Sequence, residues 1–239
     1  MKEIEAAVRA AYERIGREGS RAPGGLPFPT GVALARVLGY PEEVLGRLPE
    51  PALASFVGAA PLPREVLTDR PAGSRPGEWV VDGGCGAGVD AIWLASAGLR
   101  VAAFDPCPAM LARLRDAAGR RVHLLRAGFP EIPLRSASAS HVLSNGVANL
   151  IPDKGSLARE VFRVLAPCGK WLVADVLALG EVDSSLRADP DAWAFCVGGA
   201  LTPDGWRALC AEAGFASAEV EVLESFPPLG RGVVRAARK

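Results

Sequence analysis

Long apolar runs are missing from this 239-residue chain. No stretch approaches the roughly 18–20 residues that a helix needs to cross a bilayer, so no membrane span is expected. A surplus of either charge is missing too. Lysine plus arginine number 27 and aspartate plus glutamate also number 27, and without excess cations the chain lacks the electrostatic footprint of a nucleic-acid partner. The five cysteines, at 85, 107, 168, 196 and 210, contain no CxxC pair and no zinc-ligand spacing. An odd, scattered set points to a reducing compartment and excludes a metal site of that kind. Histidine is nearly absent, with His123 and His141 alone. His123 falls inside a predicted strand and His141 opens another, on its surface and away from its carboxyl end. Neither is placed to act as a general base. The opening stretch MKEIEAAVRAAYERIGREG is a charged amphipathic helix and not an apolar export signal, so a cytoplasmic protein is expected.

What is present is a core-forming composition, 49% apolar and 23% charged, which excludes wholesale disorder. The length suits one large α/β domain or a domain with a small appendage. Proline and glycine break the first seventy residues at 21–31, 39–43, 48–51 and 60–63. Short amphipathic helices are predicted between the breaks, over 2–15, 30–38, 41–48 and 50–57, each too short to stand alone. This helical segment, residues 1–68, reads as a lid. A linker, DRPAGSRPG (69–77), separates it from a core over 69–239. There, strands at 78–83, 100–105, 121–127, 140–146 and 170–179 alternate with helices at 89–98, 108–119 and 153–169, the pattern of a mostly parallel sheet covered on both faces. The tail holds a helix at 202–215, with Thr202 or Asp204 as its cap, and strand-like runs at 217–226 and 231–238 close enough to form a hairpin.

The sharpest signal is Val80-Val81-Asp82-Gly83-Gly84-Cys85-Gly86-Ala87-Gly88, between the first strand and its helix. Glycines there allow a tight turn and close backbone approach to a ligand, and the following helix offers unpaired N–H groups. Seventeen residues past Gly88 the second strand ends in Asp105, where a carboxylate can accept both hydroxyls of a ribose. The dinucleotide pattern G-x-G-x-x-G requires glycine at 89, where Val89 stands. Asp82 would repel a pyrophosphate but can hold an ammonium group. S-adenosylmethionine (SAM), with an amino group, a ribose and no phosphate, fits this turn better than NAD.

Five stretches in order, VVDGGCGAGVDA, FDPCPAML, SNGVANLIPDK, REVFRVLAPCGKWLVADV and DAWAFCVGGAL, resemble the class I SAM-dependent methyltransferases. More narrowly they are similar to the arsenite methyltransferase group, with the likeness running from about residue 38 to 215. The resemblance implies a Rossmann-like seven-stranded sheet, mostly parallel with an antiparallel C-terminal hairpin, and a helical N-terminal lid. It implies that Asp82, Gly84, Cys85, Gly86 and Gly88 line the methionine end of SAM. Asp105 would take the ribose with Pro106 beside it, Ala127 and Gly128 would lie against the adenine, and Asn145 would flank the methionine portion. A small-molecule methyl acceptor follows, with Asn149, Trp193 and Cys196 as candidate pocket residues and Cys196 as a candidate catalytic thiolate. Packing roles for Trp193 and Cys196, and a simple turn for Asn145 and Asn149, stay open on the residues alone.

The group holds trivalent arsenic with cysteines from three regions. In this chain the first region reads Gly58-Ala59-Ala60-Pro61, the second places Gly146 at the thiol position, and the third keeps Cys196. A soft thiophilic centre needs two or three thiolates. The acceptors compatible with the sequence are therefore a metalloid or thiol compound, or a small organic metabolite methylated at carbon or oxygen. A protein that binds SAM without turnover is the third reading. No oligomeric state is specified.

Overall fold

The structure, a computed structural model, describes residues 2–18, 30–68, 79–115, 118 and 120–239. The expected linker at 69–77, most of the break at 21–31 and the end of the helix expected over 108–119 lie outside the described residues.

Seven strands form one sheet: β1 (Trp79–Gly83), β2 (Val101–Asp105), β3 (Val122–Arg126), β4 (Ala139–Asn145), β5 (Leu165–Ala178), β6 (Ser217–Phe226) and β7 (Leu229–Ala237). Their spatial order is β3-β2-β1-β4-β5-β7-β6. The first five pair in parallel, while β7 runs antiparallel between β5 and β6. The chain moves outward from β1 to β3 and then returns to start again at β4. A crevice therefore opens beyond the carboxyl ends of β1 and β4, where open α/β sheets hold their ligands.

Alternation along the strands divides the interior. On β1, Val80 joins one apolar cluster and Val81 another, because successive side chains point to opposite faces. The Val81 face is covered by α8 (Lys154–Val164) and α11 (Pro203–Glu212). There Trp171 stacks on Phe215 at 5.8 Å and meets Trp206 edge-on, also at 5.8 Å. On the Val80 face, α6 (Val89–Ser96) and α7 (Pro108–Arg115) are joined by the N-terminal helices α2 (Gly31–Val37), α3 (Glu42–Leu45), α4 (Glu50–Leu53) and α5 (Leu62–Thr68). Leu45, Leu62 and Val66 are buried in the same cluster as Ile92 and Leu94 of α6. The segment read from sequence as a lid thus supplies much of one core layer. Its remaining helix, α1 (Lys2–Glu18), packs across α7 and α10 (Pro190–Ala194). A further short helix, α9 (Ser184–Ala188), precedes α10.

Three local expectations change. The helix expected over 153–169 ends at Val164, because Pro167 has no N–H and its ring blocks continuation. The carbonyls of Arg163 and Val164 accept instead from the amides of Ala137 and Ser138. A helix, α5, stands where the prolines at 61 and 63 suggested a break, since proline is tolerated in a first helical turn. His141 is buried, not on the surface, and His123 is the exposed one, set edge-on against Trp79 at 4.7 Å. Of the two caps proposed for α11, Thr202 serves, accepting from the Gly205 amide at 3.0 Å.

Candidate active site

The glycine turn leaves β1 at the crevice. Gly84, Gly86 and Gly88 all have positive φ (71°, 51° and 81°), a region that costs an ordinary side chain energy. Gly88 is doubly constrained, since a Cβ there would meet Leu114 at 2.3 Å. At Gly86 a Cβ would meet nothing within 4 Å, so this backbone faces open space. That space is a cavity of about 330 Å³, within the usual range of small-ligand sites.

Carboxylates crowd its floor. Asp82, at the end of β1, is 3% exposed, and its Oδ2 has no hydrogen-bond partner. Burial and then the neighbouring Asp90 carboxylate hold Asp82 well above the ordinary aspartate range, against a smaller lowering by the backbone at Ala91. Asp105, the last residue of β2, accepts from the Gly86 amide at 3.0 Å and the Cys107 amide at 2.8 Å. Burial outweighs those two bonds and moves it up to about 6. Among the described residues lining the cavity, Arg9 is the sole basic one, and it is exposed on α1.

The remaining sequence-derived candidates fall into two groups. Cys85, Pro106, Gly128 and Asn145 line the cavity with the glycines and the two aspartates. Ala127 does not, and packs against the cluster around Phe104. Asn149, Trp193 and Cys196 depart from the expectation of a shared pocket wall, because none of them lines the cavity. Asn149 is fully buried, with its Nδ2 donating to Asp175 Oδ1 at 3.0 Å, the Val176 carbonyl at 2.7 Å and the Cys196 carbonyl at 3.0 Å. The indole N–H of Trp193 donates to the Arg187 carbonyl at 2.8 Å, and a Cβ on Gly198 would strike its ring at 2.3 Å. These groups pack together behind the cavity. The Cys196 thiol is buried 3.4 Å from the Gly146 carbonyl, and burial reinforced by Asp175 raises its pKa well above the usual value. A neutral thiol there is the stable form, which disfavours a catalytic thiolate.

Other walls were not anticipated residue by residue. From α1, Val8 and Tyr12 reach the cavity; from the turn after α4, Phe56 and Val57; and beyond β4, Leu150 and Ile151. The Tyr12 hydroxyl donates to the Ala194 carbonyl at 3.4 Å, fastening α1 to α10. The spacing of Val8, Ala11, Tyr12 and Ile15 is the signal that marks this inward face.

Comparison with known proteins agrees with the geometry. Residues 81–173 match the family model of a methyltransferase domain. Over that stretch the chain resembles the class I SAM-dependent methyltransferases, a family that uses SAM as its methyl donor. Within the class it resembles the arsenite methyltransferases. It is 32% identical over 157 residues to the arsenite methyltransferase of Halobacterium salinarum, a match spanning 62% of this chain and 40% of that protein. It is also 35% identical over 147 residues to the malonyl-[acyl-carrier protein] O-methyltransferase of Serratia marcescens, covering 59% of this chain and 54% of the relative. The chain thus spans about half the length of these relatives or less. Among solved structures, an arsenic(III) SAM methyltransferase from Chlamydomonas reinhardtii superposes with a TM-score of 0.63 at 24% identity, over 89% of this chain and 75% of the other. Phosphoethanolamine N-methyltransferase 2 of Haemonchus contortus superposes at 0.65 and 18% identity, over 91% and 61%. These two likenesses define the fold.

The carboxylates carry a stability cost with a definite sign. An aspartate held above its ordinary pKa opposes folding once the unfolded chain ionises it, from about pH 4 upward. Asp82→Asn is therefore expected to raise the melting temperature of the ligand-free protein at about pH 7, with the gain vanishing towards about pH 4. Thermal denaturation followed by circular dichroism across that range measures it; an equal gain at both ends would refute the burial cost.

Proposed function

We propose that this chain transfers a methyl group from SAM to a small organic acceptor with an apolar body, with Asp82 and Asp105 as the principal cofactor residues. The observation that carries the reading is the buried Asp82 Oδ2 without a partner at the cavity floor, beside a glycine turn whose middle residue faces open space. An unpaired buried carboxylate oxygen is costly unless a cation meets it, and the ammonium of SAM is such a cation. Asp105 keeps lone pairs for ribose hydroxyls while its two backbone bonds hold the turn and the start of α7 in register. Pro106 and Gly128 lie against each other, a Cβ on Gly128 coming 3.4 Å from Pro106, and make a flat surface suited to a purine. Cys85, Gly84, Gly86 and Gly88 offer close backbone, and Asn145 borders the same space.

SAM, when bound, supplies an already activated methyl group on a sulfonium, so the protein's task is alignment and exclusion of water. Helix α1 serves the second purpose as the lid proper, with Tyr12 and Val8 over the cavity, while α2–α5 stay anchored in the core. The organic acceptor is favoured by the apolar wall of Val8, Phe56, Val57, Met110, Leu150 and Ile151. No histidine or lysine lines this wall among the described residues, which favours an acceptor atom with a free lone pair over one that must first lose a proton to a base. A second reading, trivalent arsenic, has its support in the arsenite methyltransferase relatives and in Cys85 and Cys107, whose residues border the cavity. Against it, burial raises both thiols, Cys107 to about 11.

S-adenosylhomocysteine (SAH) at one hundred times its dissociation constant is expected to add about 2.7 kcal/mol of stability, with NADH adding none. Equal responses, or none to SAH, would defeat the cofactor assignment. Asp105→Ala is expected to weaken SAH binding by about 1.5–3 kcal/mol, the scale of hydrogen bonds involving a charged group; unchanged affinity by calorimetry would place the ribose elsewhere. In a turnover assay that follows SAH release, apolar amines, thiols and phenols compete against arsenite. Cys196→Ser is expected to leave the organic reaction within about threefold of the parent, as for a packing residue whose shape is kept. Turnover of arsenite alone, lost in Cys196→Ser, would reverse the choice of acceptor, and SAH binding without turnover of any member would leave a binding protein.

A further inference from the structure

Three elements that meet at the cavity are joined by one hydrogen-bond network, buried at Tyr40 and Asp90 and half-buried at Asn145. Asp90 is the second residue of α6, two positions after Gly88. Its Oδ1 accepts from the Tyr40 hydroxyl at 2.6 Å and its Oδ2 from the Asn145 side-chain amide at 2.8 Å. The same amide nitrogen donates to the Ala60 carbonyl at 2.8 Å, and Asn145 Oδ1 accepts from the Ala59 amide at 2.6 Å. Tyr40 has one donor hydrogen and the Asn145 amide two. With Asp90 ionised, these three hydrogens meet three acceptors: the two carboxylate oxygens and the Ala60 carbonyl. Tyr40 and Asp90 are 3% and 5% exposed. Satisfied buried networks of this kind fix one geometry, because each broken bond leaves a desolvated group behind.

The network holds residues 56–60, and Phe56, Val57 and Gly58 of that stretch form a wall of the cavity. The fit is close. A Cβ on Gly58 would come within 3.0 Å of Asn145 Nδ2, and a Cβ on Gly146 within 3.0 Å of the Val57 carbonyl. Two further anchors hold the same stretch: the Gly31 amide donates to the Phe56 carbonyl at 2.8 Å, and Arg231 donates to the Ala59 carbonyl at 2.7 Å. At its other end the network reaches the glycine-turn side, since Asp90 and Asp82 line the same cavity and the charge of one acts on the other.

We propose that Asn145, Tyr40 and Asp90 form a latch that positions the wall at residues 56–60 against the glycine turn, so that Asn145 acts through the wall and not by grasping the cofactor. This rests on the cofactor reading of the cavity. Its amide is already spent on the latch, whereas Tyr40 does not line the cavity at all. Binding at the turn and order in the wall are then two ends of one device. A ligand at Asp82 tightens residues 56–60, and a cut latch loosens the ligand.

The test is hydrogen exchange followed by mass spectrometry, with SAH calorimetry, on the parent, Tyr40→Phe, Asn145→Ala and the double variant. Tyr40→Phe keeps the ring that packs edge-on against Phe56 and Trp93 at 5.1 and 5.3 Å and removes the hydroxyl alone. In the parent, SAH is expected to slow exchange at the Ala59 and Ala60 amides. In either single variant those amides are expected to exchange about tenfold faster without ligand, with β6 and β7 unchanged. SAH affinity is expected to fall about three- to tenfold in each, and the double variant to lose no more than the weaker-binding single variant, since linked groups are non-additive. A silent Tyr40→Phe, additive losses, or weaker SAH binding in Asn145→Ala with unchanged exchange at residues 59 and 60 would overturn the latch. Failure of the parent to bind SAH would instead defeat the cofactor reading, and exchange in the ligand-free variants would still decide whether the latch holds the wall.

Discussion

Buried negative charge at the carboxyl edge of the sheet is the constraint on which the site depends. Asp82, Asp90 and Asp105 converge where β1, β2 and α6 meet, and burial pushes all three above the aspartate range. Two of them are compensated by donors within the chain: Asp105 by the backbone of Gly86 and Cys107, and Asp90 by Tyr40 and Asn145. Asp82 keeps an oxygen unserved. A fold that leaves one buried acceptor open beside a positive-φ glycine turn has given up stability at that point, and a cationic ligand can return it.

The same economy of donors explains why the N-terminal helices cannot be treated as an appendage. Leu45, Leu62 and Val66 complete the layer begun by α6, while Tyr40, Ala59 and Ala60 complete the hydrogen bonding of Asp90 and Asn145. Removing residues 31–68 would uncover part of one sheet face and strand the buried Asp90 and the half-buried Asn145. Helix α1 differs, since it packs across α7 and α10 and lends Val8 and Tyr12 to the cavity wall. The helical segment therefore combines two physical roles that a boundary drawn at residue 68 merges.

Much of the architecture was legible because it is written in local patterns. Alternating apolar runs and helical spacings, with Gly98 closing α6 and Thr202 opening α11, gave the element order, and the closeness of the strand-like runs at 217–226 and 231–238 marked the terminal hairpin. Errors arose where a local signal had two meanings. The prolines at 61 and 63 break a helix interior but sit comfortably in a first turn, and Pro167 stops a helix whose apolar spacing continues past it. In the site, the glycine turn, Asp82 and Asp105 were readable, because closely spaced glycines and a strand-ending acid have few alternative explanations. Cys196, Trp193 and Asn149 were not, since a residue near a pocket in sequence can face either way. The register of the chain around Gly146 and Gly198 turns these three to the packing behind the cavity.

Local pattern was enough for the class of fold and for the glycine turn that lines the cavity, because both follow from short-range periodicity and from the few residues that tolerate positive φ. The sequence also determined what the chain has for chemistry: many carboxylates, scattered thiols and hardly a histidine. Which of those groups meet is a matter of long-range packing. Tyr40, Asp90 and Asn145 are separated by 50 residues or more along the chain, and no local rule pairs them. Their meeting is set by how β1 and β4 lie side by side and by how α2–α5 fold back onto α6, which is long-range packing and not propensity.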